Sequence, residues 1–242
     1  MSPPILVEGR DAGALAFAQE VARHTGAPLS ELTDDGHVAA AIEEQRPLMV
    51  VLGSSGGNAE RVIHGAQCPV VVVRGAARPE GIRTVGAAFA PTPEGREALR
   101  AAAGLAAVLG ASLRVVTALS PKHAEDQSPG MLARVHHDHD ASEDVATRHT
   151  MEAEAALSEA IAELGADVET ETDVLFQEPA HALVAASANL DLLVMGSRGL
   201  GAVRSVVLGS VSRHVTASAS CPVLVVPRGV AMLLKPPETE AR

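Results

Sequence analysis

Two segments of this chain read almost alike: Cys68-Pro69-Val70-Val71-Val72-Val73-Arg74-Gly75 and Cys221-Pro222-Val223-Leu224-Val225-Val226-Pro227-Arg228-Gly229. A second pair matches upstream of them, Leu48-Met49-Val50-Val51-Leu52-Gly53-Ser54 against Leu192-Leu193-Val194-Met195-Gly196-Ser197. Two similar phrases recurring in the same order mark a duplicated unit, and each copy ends in a strand, a loop, a helix and a strand. The valine runs are short and continuous rather than alternating, as in strands of a parallel sheet covered by helices on both faces. With the cysteines aligned, Gly56 falls opposite Gly209, so the first copy lacks about ten loop residues that the second retains.

In the second half the pattern predicts strands at 82–90, 112–119, 168–176, 191–196 and 222–227, with helices at 93–109, 148–164, 179–189 and 210–219. This βαβαβ order predicts a doubly wound α/β fold. Helix 93–109 carries its own signals: Thr92 as cap, Pro93 in the first turn, Glu94 at the positive end of the dipole and Gly110 as terminator. The first half is shorter, with strands near 4–8, 28–32, 48–53 and 69–73 and helices near 11–25, 37–45 and 58–66. The expected division is a truncated copy over 1–76, a complete copy over 80–229 and a C-terminal tail over 230–242, with 75–81 as linker. The polar segment 120–147 has no clear period and reads as a loop leading into a long helix.

Composition narrows the function. The 242 residues carry a net charge of −11 with no block of Lys and Arg, which argues against nucleic acid as a partner. There is no Trp or Tyr and there are three Phe, so the stacking platforms used on single strands are missing and the core must be aliphatic. The start has no basic region followed by an apolar run, and no stretch approaches the ~18 apolar residues of a membrane helix. Two cysteines, Cys68 and Cys221, are too few for a disulfide framework. A soluble, cytoplasmic protein is expected.

In an open α/β sheet a ligand sits at the carboxyl ends of the strands, where strand order reverses. After the predicted strand 191–196 runs Gly196-Ser197-Arg198-Gly199-Leu200-Gly201, continuing to Leu208-Gly209-Ser210 and a helix. Glycines at 196, 199 and 209 let backbone amides approach an anion, and Ser210 is placed to cap the helix, so phosphate is the natural ligand. A connection that needs glycine only for its turns is the alternative. Neither a dinucleotide fingerprint nor a Walker sequence is present. His136-His137-Asp138-His139-Asp140 reads as a solvated loop before it reads as a metal site, and no matched distant ligand is visible. Ser210 and His214 lie one helical turn apart without an orienting carboxylate, so no catalytic residue is assigned.

The spacing Gly196-x2-Gly199-x9-Gly209-Ser210, between Asp191-Leu192-Leu193-Val194-Met195 and Cys221-Pro222-Val223-Leu224-Val225-Val226-Pro227, resembles the nucleotide-binding signature and last strand of the universal stress protein family. The resemblance covers about 80–229, including Gln177-Glu178-Pro179-Ala180-His181-Ala182-Leu183, and extends over 1–76 as a degraded copy. It implies a five-stranded parallel sheet ordered 3-2-1-4-5, of the adenine-nucleotide α-hydrolase-like kind, and a tandem pseudo-dimer joined through terminal strands, complete alone or paired again as a homodimer. It implies a stress-response protein that binds ATP or another adenine nucleotide; a slow ATPase or transferase is the third reading, and since no general base, metal carboxylate cluster or activated nucleophile can be assembled from the motifs, no enzyme is expected. Gly196, Gly199, Gly209 and Ser210 would hold phosphates and ribose, with Arg198 and Val211 alongside. ATP-binding members carry an Asp at the end of the first strand; here Ala90 stands in that place. Each nucleoside group left unpaired there costs about 1–3 kcal/mol. An interaction module of the same fold, without nucleotide, is therefore the second expectation. The first half offers Glu8 and Asp11 near its equivalent turn and is expected to be a structural partner without nucleotide.

Overall fold

The computed structural model describes residues 2–32, 38–54, 59–74, 81–120, 139–164, 168–197, 208–230 and 232, with the side chains of 139–146 and 149 left aside. The first half runs β1 (Ile5–Glu8), α1 (Ala12–Thr25), β2 (Leu29–Leu32), α2 (Val38–Gln45), β3 (Met49–Gly53), α3 (Ala59–Gly65) and β4 (Val70–Val73). The second runs β5 (Thr84–Phe89), α4 (Pro93–Leu109), β6 (Ser112–Ala118), α5 (His139–Ala162), β7 (Thr170–Leu175) and α6 (Pro179–Ala186). A 3-10 turn (Ser187–Asn189) follows, then β8 (Leu192–Gly196), α7 (Ser210–Ser218) and β9 (Val223–Val226).

Local chemistry sets the helix ends. The Asp11 carboxylate accepts the Ala14 amide at 2.9 Å to cap α1, and the Thr92 hydroxyl accepts the Gly95 amide at 3.1 Å to cap α4. Gly26 (φ 67°) and Gly110 (φ 66°) end these helices in the left-handed conformation that glycine adopts without a Cβ clash. One expected boundary moves: α5 begins at His139 rather than 148. Its first turns carry no apolar period in the sequence, which is why that reading placed them in a loop. The expected helix 179–189 is α-helical to Ala186 and finishes in the 3-10 turn.

All nine strands form one sheet in the order β2-β1-β3-β4-β9-β8-β5-β6-β7. In chain order within the second half, that is the 3-2-1-4-5 arrangement. Among the described residues the first half has four strands and no counterpart of β7. Every pairing is parallel except β4 with β9, where Val70, Val71 and Val72 face Val225, Leu224 and Val223. The two repeated valine runs are thus the seam between the halves.

Alternate residues of each strand feed two aliphatic layers that cross this seam. One face collects Ile5, Val7, Val71, Val73, Val85, Leu113, Leu192 and Leu224 under α1 and α4. The other collects Leu6, Val50, Val70, Val72, Leu193, Val223 and Val225 under α2, α3, α6 and α7. Burial of such side chains stabilises by roughly 1.5–3 kcal/mol each. The halves are therefore packed as one body rather than joined by a tether.

Candidate switch-point crevice

Helix α4, which follows β5, lies on one face, and α7, which follows β8, lies on the other. Their parent strands are neighbours, so the chain diverges between the carboxyl ends of β5 and β8, leaving the crevice where open α/β sheets take ligands. β1 and β3 repeat this divergence in the first half, with α1 and α3 leaving to opposite faces.

Gly196 ends β8, and Gly209, Ser210 and Val211 open α7. The Gly209 amide donates to the Ser197 carbonyl at 3.0 Å, pinning together the two ends of the connecting loop. Arg198 and Gly199 lie outside the described residues, so of the predicted set the structure gathers Gly196, Gly209, Ser210 and Val211. Two features that the sequence did not reveal hold this arrangement. The buried Ser212 hydroxyl donates to the Gly196 carbonyl at 3.0 Å, clipping the first turn of α7 to the end of β8. Glu94, also buried, meets the Arg228 guanidinium at 3.0 Å and leans on Gly196. A Cβ on Gly196 would sit 3.0 Å from the Glu94 carbonyl oxygen, so part of the need for glycine there is the approach of α4.

The capping expectation is corrected. Gly209, not Ser210, is the N-cap of α7, and among the described residues no side chain caps the helix start. Ser210 is the first helical residue and is exposed. Among the described residues the leading amides of α7 thus have no capping side chain, and with the helix dipole behind them such amides favour an anion.

The first half fills its own crevice. The Glu8 carboxylate accepts the Gly53 amide at 2.8 Å, and Asp11 stands so close that a Cβ on Gly53 would overlap its carboxylate. Counted along the strand pairings, Gly53 corresponds to Gly196 and Glu8 to Ala88. The end of β5 is Ala88, Phe89 and Ala90, with no side-chain oxygen among them. One strand over, in register with Phe89, the hydroxyl of Thr117 is buried and has no hydrogen-bond partner.

Other expected chemistry is thinly represented. Among the described residues no group of three or more His, Cys, Asp or Glu is arranged to hold a metal ion. The side chains of His136 through Asp140 fall outside what is described. His214 packs edge-on against His181, ring centres 5.7 Å apart. Both cysteines are buried and not joined in a disulfide, and burial pushes the Cys68 thiol up to about 12. No helix among the described residues is long and apolar enough to cross a membrane.

The model of the Universal stress protein family matches residues 81–227. A curated relative, the universal stress protein in the QAH/OAS sulfhydrylase 3'region of Thermus aquaticus, is 46% identical over 87 residues. That match takes 35% of this chain, which spans 62% of the length of the relative. Among solved structures, a universal stress protein from Archaeoglobus fulgidus DSM 4304 superposes with a TM-score of 0.56 at 20% identity, covering 89% of this chain and 76% of the other. A putative universal stress protein from Pseudomonas aeruginosa UCBPP-PA14 gives 0.55 at 19%, covering 92% and 81%. At these identities the two structures establish the shared fold, across both halves of the chain.

Proposed function

The chain belongs to the universal stress protein family, and on that premise we propose that it is a cytoplasmic stress-response binding protein whose second half takes ATP or another adenine nucleotide in the crevice between β5 and β8. The observation that carries this reading is the pinned loop and its helix start: the Gly209 amide donates to the Ser197 carbonyl, and among the described residues no side chain caps α7. Phosphate oxygens fit such a row of main-chain donors. Gly196, Gly199, Gly209 and Ser210 would supply the cradle, with Arg198 and Val211 beside it. Arg228 neutralises Glu94, the buried carboxylate at its wall, so that an arriving anion meets less repulsion.

At the nucleoside end the fit rests on different groups. With Ala90 in place of a carboxylate, the unpaired Thr117 hydroxyl is the polar atom supplied by the neighbouring strand. Binding in this reading is weaker than in a site with that carboxylate, by about ten- to a hundredfold. The bound state acts through the surface around the gathered loop and α7 and changes what a partner meets there. The reading assigns no nucleophile and no turnover.

A second reading, an interaction module without nucleotide, is favoured by one observation: the oxygen-free end of β5. Mass spectrometry of small molecules released from the purified chain, followed by calorimetric titration with ATP, ADP and AMP, separates the two. A retained adenine nucleotide, or saturable binding, supports the first. No release and no binding at millimolar concentration supports the second.

A further inference from the structure

The repeat provides an internal comparison at the opposite end of the strands. In the second half, α6 is followed directly by Ser187, which is fully buried. Its hydroxyl donates to the Val184 carbonyl at 2.6 Å and accepts the Ser220 amide at 2.8 Å. Ser220 precedes Cys221-Pro222, so this bridge ties α6 to the end of α7 and closes the seam between them.

In the first half the matching helix, α2, is likewise eight residues long, and Arg46 is the residue that follows it directly. The residue before Cys68-Pro69 is Gln67. Arg46 has φ 44°, a left-handed conformation that costs a residue with a side chain roughly 1–2 kcal/mol, and it turns the chain into Pro47 instead of into a 3-10 turn. The closing bridge has no counterpart here. Where it would lie, between α2 and α3, a cavity of about 860 Å³ opens. Its floor is buried and apolar, with Val38, Ile42, Val62 and Cys68. Among the described residues its rim carries the guanidinium groups of Arg46 and Arg61 and the carboxylate of Glu43.

A space of this size is within the range of small-molecule sites, which combine an apolar body with a few placed polar groups. On a chain of net charge −11, Arg46 stands at this rim, and among the described residues no carboxylate forms an ion pair with it. We infer that this open seam is a second ligand site, distinct from the switch-point crevice, that takes a small organic anion with an aliphatic body. The apolar portion lies on Val38, Ile42, Val62 and Cys68, and the anionic head meets Arg46 at the rim. The inference does not depend on nucleotide binding, since the cavity lies at the amino ends of β3 and β4 and in the other half of the sheet.

Octanoate is a suitable probe, followed by saturation-transfer NMR and calorimetry on the full chain. The expected result is one saturable site per chain, present with and without ATP, and at least about tenfold tighter than for octan-1-ol. Arg46→Gln should weaken octanoate about tenfold, the loss of one charge-assisted hydrogen bond. Gly65→Leu is the steric test. Gly65 lines the cavity and a Cβ there meets nothing within 4 Å, so a larger side chain enters the space without displacing the helix. It should abolish binding while circular dichroism and unfolding midpoint stay as in the parent. No binding at millimolar octanoate, equal binding of the alcohol, or unchanged affinity in both folded variants would overturn the inference.

Discussion

The Glu8 carboxylate and the Gly53 amide are joined at 2.8 Å across the ends of β1 and β3, and this bond places a carboxylate of the chain itself in the first of the molecule's two switch points. Its counterpart between β5 and β8 has alanine at the position of Glu8. The duplicated fold thus has one crevice where its own carboxylates meet the end of β3 and one where, among the described residues, no side chain caps the following helix. Glu8→Ala should destabilise the chain by about 1.5–3 kcal/mol, as expected for a hydrogen bond to a charged group. Urea unfolding measures this, and the nucleotide stoichiometry should not change.

Gly209→Ser exchanges a ligand's role for a side chain's. Gly209 sits at φ −62° and ψ 159°, a conformation open to serine, whose hydroxyl would satisfy an amide of the first turn of α7. Stability should rise by a few tenths of a kcal/mol while nucleotide affinity falls. Thermal unfolding and calorimetric titration on the same preparation check both directions.

Gly196→Ala tests the contact with α4. The added methyl meets the Glu94 carbonyl oxygen at 3.0 Å and the Glu94 Cβ at 3.1 Å, and both belong to a capped helix turn. Overpacking of this kind costs about 1–3 kcal/mol. The destabilisation should appear without any nucleotide in the sample, which distinguishes it from a pure ligand effect.

Cys68 makes stability depend on pH. Burial pushes its thiol from 9.0 up to about 12, so the folded state holds the proton more tightly than the unfolded chain does. Stabilisation from this group is complete below pH 9 and is lost as pH rises from there toward 12. Unfolding free energy measured across that window should decline, and Cys68→Val should remove that part of the decline.

Much of this architecture was legible because it is written in spacing. The repeated Cys-Pro-Val phrases located β4 and β9, and Thr92, Pro93 and Gly110 fixed both ends of α4. That the halves join through their terminal strands was implied by family resemblance, whereas the antiparallel direction of β4 and β9 was not anticipated, since a valine run does not encode the direction of its neighbour. The candidate site was read less fully. Its glycines could be seen, whereas the Ser212 clip and the Glu94–Arg228 pair connect residues brought together only by the sheet. The serine expected as cap proved to be the first helical residue, because Gly209 at ψ 159° already has the extended backbone of a cap. The start of α5 was missed because a polar helix has no apolar rhythm to report it.

The most direct measurement is the stoichiometry of ATP binding to the full chain by calorimetry, repeated on Glu8→Ala and Gly199→Val. The account predicts one site per chain, retained in Glu8→Ala and lost in a folded Gly199→Val. Two sites per chain, or a Gly199→Val variant that binds as the parent does, would contradict it.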